Sequence, residues 1–94
     1  MIRVDVKYWP NGKRKGLTGR TSSVGVIEFE ESIGVPTIGG PLESGRFTLH
    51  PKSGRPEGEL ARIATQIEPR IASNFDRGYA DDKGPGIYGW IIIE

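Results

Sequence analysis

Cysteine is absent from this 94-residue chain, and histidine occurs once. The first absence excludes a disulfide framework, a thiolate metal centre and a cysteine nucleophile. The second leaves any structural zinc with one imidazole and a set of carboxylates, a donor set that structural zinc rarely uses. Long apolar runs are missing as well. The longest, Trp90-Ile91-Ile92-Ile93, falls far short of the roughly 20 residues a spanning helix needs. Met1 to Tyr8 lacks the apolar segment of a signal peptide, so the expectation is a cytoplasmic protein with no membrane partner. Charge of one sign is also lacking: 13 Lys and Arg face 12 Asp and Glu, for a net charge of +1. That balance excludes a uniformly basic nucleic-acid coat and an acidic mimic of DNA. The length leaves room for a single compact domain over residues 1–94, with a small core.

Glycine and proline, by contrast, are plentiful, at 14 and 7 residues. They gather in residues 10–19, 34–45, 51–58 and 84–89, mostly between segments with clear hydrophobic periodicity. They read as punctuation in a loop-rich fold, not as a sign of disorder. The near-zero net charge hides a gradient. Arg3, Lys7, Lys13, Arg14, Lys15 and Arg20 oppose only Asp5 in residues 1–20, whereas Glu28, Glu30, Glu31 and Glu43 oppose only Arg46 in residues 21–50. A basic N-terminal segment beside an acidic strand follows.

Ile2, Val4, Val6 and Tyr8 alternate with Arg3, Asp5 and Lys7, the period of a half-buried strand. Asn11-Gly12 then signals a tight turn, and a weaker strand over Lys13 to Thr18 is expected to pair back as a hairpin. Val24 to Glu30 reads as another strand. Its apolar phase changes at Gly25, which predicts a bulge there. Ser32 to Gly45 reads as a long ordered loop, tacked down by Ile33, Val35, Ile38 and Leu42. Arg46 to His50 is a short strand ended by Pro51.

A helix is expected from Pro56 or Glu57. Leu60, Ile63, Ile67, Ile71 and Phe75 give it one apolar stripe, and Arg62, Gln66, Glu68 and Arg70 form its wet side. Pro69 predicts a kink or a break, and Gly78 the stop. Tyr79 to Gly86 reads as a polar loop. Ile87 to Ile93 is apolar on both faces and reads as a central strand covered on both sides. The expected fold is α+β: a mostly antiparallel sheet of four or five strands with one kinked helix packed on it, in the order β-β-β-α-β.

Four places invite a functional reading. Tyr8, Trp9, Asn11, Lys13, Arg14, Lys15 and Arg20 combine aromatics with cations, the pairing that stacks bases and binds phosphates. The RRM aromatic motif, the KH clamp and the zinc knuckle are all missing, and a solvated hairpin tip accounts for the same residues. His50, with Arg46, Arg77 and Tyr79, would make a small ribonuclease site with the imidazole as general base. The competing reading is a surface histidine. Asp76, Asp81 and Asp82 carry oxygen donors but lack EF-hand spacing, so no metal is expected. Gly39-Gly40-Pro41 lacks the Lys-Ser/Thr of a phosphate loop, so no nucleotide cofactor is expected.

The favoured reading is a non-catalytic binding module, a small inhibitor or accessory protein of the kind phages and mobile elements carry. A protein partner is favoured by the opposed charge patches, with Trp9, Arg14, Arg77 and Tyr79 as anchors. RNA or DNA binding through Tyr8 to Arg20 comes second, and a His50 ribonuclease third. Oligomeric state is left open.

Overall fold

Alternation along the first residues becomes strand β1, Ile2–Trp9, with Val4 and Val6 fully buried. The computed structural model describes residues 2–29 and 47–93. The predicted loop over Ser32 to Gly45, its four apolar tacks and Arg46 lie outside the described residues. The remaining elements are α1 (Gly12–Lys15), β2 (Ser22–Phe29), β3 (Phe47–Pro51), α2 (Glu57–Ala72), β4 (Arg77–Asp81) and β5 (Ile87–Ile92). The five strands form one antiparallel sheet in the order β3-β2-β1-β5-β4. The architecture is the expected α+β sheet with one main helix, extended by a strand between that helix and the closing strand.

The bulge expected at Gly25 is present. Val6 pairs with Gly25 and Lys7 with Ser23, so Val24 is the extra residue of β2. Gly25 has φ of 150°, and the phase change lets Val24, Ile27 and Phe29 all enter the core. One face of the sheet carries Val4, Val6, Ile27, Phe29, Tyr88 and Trp90. Leu60, Ile63, Ala64, Ile67 and Ile71 of α2 close the core against it.

Three of the expected strand assignments differ. Residues 13–18 form no strand, because Lys13-Arg14-Lys15 offers nothing to bury. The chain instead winds one helical turn, with Lys15 N–H donating to Asn11 C=O at 2.9 Å. Arg77–Asp81 is a strand, not the start of a loop. Its helix-facing residues are only Gly78 and Ala80, because the Trp90 ring lies over Gly78. A Cβ at position 78 would sit 2.9 Å from Trp90 Cζ2. β5 is interior but not covered on both sides, since Ile91 on its far side is exposed.

Helix α2 runs through Pro69 without a break. Only Arg70, Ile71 and Ala72 follow, so the missing donor removes one ladder bond in the last turn. The stop falls at Asn74, before Gly78. Asn74 is left-handed, with φ of 67°. Asn74 N–H donates to Ile71 C=O and Phe75 N–H to Arg70 C=O, a Schellman closure. The reversal takes Phe75 off the apolar stripe and leaves it exposed. Glu68, expected on the wet side, is 3% exposed.

Candidate functional site

The sheet face turned away from α2 is built from the odd-numbered residues of β1, β4 and β5, as strand alternation requires. Pairing sets them in three rows: Trp9, Ile87 and Asp81; Lys7, Gly89 and Tyr79; Asp5, Ile91 and Arg77. Gly89 stands at the centre of this grid and contributes no side chain. The result is a hollow of about 290 Å³ lined by Asp5, Lys7, Trp9, Arg77, Tyr79 and Ile91. The Trp9 ring leans into it, since a Cβ on residue 89 would lie 2.5 Å from Trp9 Cζ3.

Of the residues predicted to bind, Trp9, Arg77 and Tyr79 therefore meet. Tyr8 does not join them. It points to the helix side, where its hydroxyl donates to Asp82 Oδ2 at 2.7 Å and its ring packs 4.7 Å from that of Tyr88. Helix α1 sits at the Trp9 end of the open face, with Gly12 pressed against Ile87 and Lys13 N–H bonded to Pro85 C=O at 3.0 Å. Arg14, Lys15 and Arg20 are exposed there. Lys13 is committed to the fold: its ammonium pairs with Asp81 and lies 3.3 Å from Asp82 Oδ1.

Those pairings set the charges at this end. The hydrogen bond to Asp81 raises the Lys13 pKa, and the same contact lowers that of Asp81. Burial works against the Asp82 carboxylate. Bonds from the Tyr8 hydroxyl, the Gly84 amide and Lys13 outweigh it and hold the group below its ordinary value. Two of the three aspartates considered as cation ligands, Asp81 and Asp82, thus converge on the protein's own lysine, and Asp76 lies 3.7 Å from Arg77 Nε instead. Among the described residues, no group of three or more His, Asp or Glu side chains converges as a metal site.

A second polar cluster lies on the helix side. Arg55 donates to Glu59 at 3.2 Å and to Ser22, and Tyr88 hydroxyl donates to Glu59 Oε2 at 2.6 Å. Burial, then the bond to Glu59, pushes the Tyr88 hydroxyl well above its usual pKa. Arg55 and Arg62 sit over the Tyr8 and Tyr88 rings at 5.7 and 5.8 Å. Each hydroxyl and carboxylate in this cluster has a partner, so it fastens the start of α2 to β1 and β5.

The residues proposed for a ribonuclease site do not come together. His50 lies on β3 and pairs with Glu28. Arg77 and Tyr79 lie on β4, at the opposite edge of the sheet, four strand spacings or on the order of 19 Å away. Arg46 lies outside the described residues.

Asp5, Lys7, Gly89 and Ile91 were not singled out in the sequence. The alternation of β1 already placed Asp5 and Lys7 on one wet face with Trp9. A glycine inside an apolar strand is a known mark of close approach by another group. No helix among the described residues is long and apolar enough to cross a membrane. No protein-family model, curated protein or solved structure matches the chain.

Proposed function

We propose that this chain is a non-catalytic binding module that holds a partner protein against its open sheet face. One observation carries the reading. Of the five large apolar side chains exposed among the described residues, four flank one corner of the sheet: Phe75, Tyr79, Ile91 and Ile93. Arg77 stands among them. Aromatic residues and arginine at the centre of a patch are the usual anchors of protein interfaces, and clustered exposed apolar groups mark interaction surfaces. The surrounding charge is balanced, with Lys7 and Arg77 beside Asp5 and Asp76, which suits a partner of mixed charge better than a polyanion.

The test compares wild type with Tyr79→Ser/Ile91→Ser as immobilised baits for native-host lysate. Both positions are exposed, so circular dichroism should be unchanged. A partner held by wild type and lost at least about tenfold in the variant is expected for interface anchors. Equal capture by both baits, or none by either, overturns the reading.

A nucleic-acid reading has its own support, because Trp9 and Tyr79 flank Gly89 with Lys7 and Arg77 alongside. Single strands bind by such stacking between cations. If a fluorescent 12-nucleotide strand binds through that surface, log affinity falls with log salt at a slope of magnitude roughly 3–5. Arg14→Glu/Lys15→Glu then weakens it. The protein-partner reading expects no saturable binding to that strand near physiological salt.

A further inference from the structure

Strand β4 forms one edge of the sheet, and its outward backbone groups can be assigned. Ile92 N–H donates to Asp76 C=O at 2.9 Å, and Ile93 N–H donates to Arg3 C=O at 2.8 Å. Even-numbered residues of β5 therefore bond to β4 and odd-numbered ones to β1. With the β4–β5 register, Gly78 and Ala80 bond inward while Arg77, Tyr79 and Asp81 point their N–H and C=O groups out of the sheet. The Asp81 groups are already satisfied by α2. Its N–H donates to Gln66 Oε1 at 3.0 Å, and its C=O accepts from Gln66 Nε2 at 2.9 Å and from Arg62 at 3.0 Å. The Gln66 amide stands where the next strand would be, and it ends any ladder there. What stays open is a two-residue edge, Arg77 and Tyr79, with no backbone partner of their outward groups among the described residues.

We propose that this edge pairs with the same edge of a second copy, antiparallel about a twofold axis at Gly78, to give a ten-stranded sheet. Self-pairing fits the edge in three ways. Arg77 of each copy falls opposite Tyr79 of the other, so four hydrogen bonds use all four donors and acceptors that Gln66 leaves open. The same register places each guanidinium beside the other copy's aromatic ring, a favourable cation–π pairing. Gly78 meets Gly78 at the axis as a non-hydrogen-bonded pair, where backbones come closest and the lack of side chains permits it. Sheets blunt their edges by shortness, charge, proline, bulges or a covering element. This edge is short and carries the Arg77 charge, which the facing Tyr79 ring accommodates, and among the described residues no proline, bulge or covering element protects Arg77 and Tyr79. Arg77 and Tyr79 also line the open face, but the pairing proposed here uses their outward backbone groups, so its failure is distinguishable from that of the partner reading.

Sedimentation equilibrium on the purified chain from about 1 μM to about 1 mM, the span of weak to moderate association, provides the test. The expected result is a concentration-dependent mass rising to twice the 10.3 kDa of the chain. Arg77→Pro removes the outward N–H along with the guanidinium and leaves the inward ladder bonds of β4 intact, at the first residue of the strand, a position where proline is tolerated. It deletes two of the four bonds and should weaken association at least about 30-fold, with an unchanged circular dichroism spectrum. Should that variant misfold, Arg77→Cys/Tyr79→Cys in the cysteine-free background replaces it. Oxidation should link residue 77 of one copy to residue 79 of the other, read by peptide mapping. A chain that stays monomeric throughout, a folded Arg77→Pro variant that dimerises as tightly as wild type, or cross-links in another register would overturn the proposal.

Discussion

Gly25 is where a single side chain would do the most damage to the sheet. Its φ of 150° is unfavourable for any other residue, and an added Cβ would lie 2.5 Å from His50 O and 2.9 Å from Pro51 Cα. Both neighbours are backbone and cannot swing aside. Gly25→Ala should therefore lower unfolding free energy by about 3 kcal/mol or more, measured by urea denaturation. This constraint was legible, because the apolar phase of β2 slips by one residue at that glycine. Asp82 was not. Adjacent aspartates in a glycine-rich loop look alike in sequence, yet Asp82 accepts from Tyr8, Gly84 and Gly86 while Asp81 meets Lys13. A carboxylate held below its unfolded pKa contributes stability above that value and loses it as pH falls through the folded one. Asp82→Asn should flatten the loss of stability below about pH 4, as read from thermal melts across an acid series.

Helix α2 shows how an element can be right in its start and its apolar stripe and wrong in its stop and part of its facing. Its stripe of Leu60, Ile63, Ile67 and Ile71 is buried as the spacing required. Glu68 shares the buried arc, and its Oε1 has no hydrogen-bond partner among the described residues. Burial raises its pKa, so the penalty on its charged form grows as pH rises above the unfolded value and is full above the folded one. Glu68→Met keeps the length of the side chain and removes the charge. It should raise stability at pH 7 by about 1–3 kcal/mol, with a smaller gain near pH 4, read by denaturant titration at both pH values. Strand β4 was the element the sequence concealed. Arg-Gly-Tyr-Ala-Asp alternates small with large instead of apolar with polar. That pattern makes sense only once the Trp90 ring is known to lie across Gly78. The hollow was hidden for the same reason: its central row joins Lys7, Gly89 and Tyr79 from three strands, one of which could not be read.

At the scale of the whole molecule, the charge gradient proves to be partly internal. Lys13, one of the cations that make the N-terminal segment basic, bridges two aspartates near the other end of the chain, so Lys7, Arg14, Lys15 and Arg20 are the exposed cations of that segment not held in such a bridge. Lys13→Glu would set three acidic groups together. It should loosen the 82–86 loop without disturbing the core, visible as faster amide exchange at Gly84 and Gly86 with the exchange of Val4 and Val6 unchanged. The general architecture was legible because strand and helix periods are strong in β1, β2 and α2. The order of strands across the sheet was not, since it depends on which distant segment the central strand selects.

That selection has a temporal consequence. β1 takes one neighbour from nearby in the chain and the other from its far end, with Val4 opposite Ile92. Nearly the whole chain must close into a loop before β1 gains its second ladder, and the loss of chain entropy precedes the contacts that reward it. Chains dominated by such distant pairings refold over roughly milliseconds to seconds, against microseconds for local helical topologies. Stopped-flow fluorescence of Trp9 and Trp90 should place this protein in the slow group. Until β5 arrives, the half of the sheet that carries the hollow does not yet exist, so any recognition by that face is the last property the folding chain acquires.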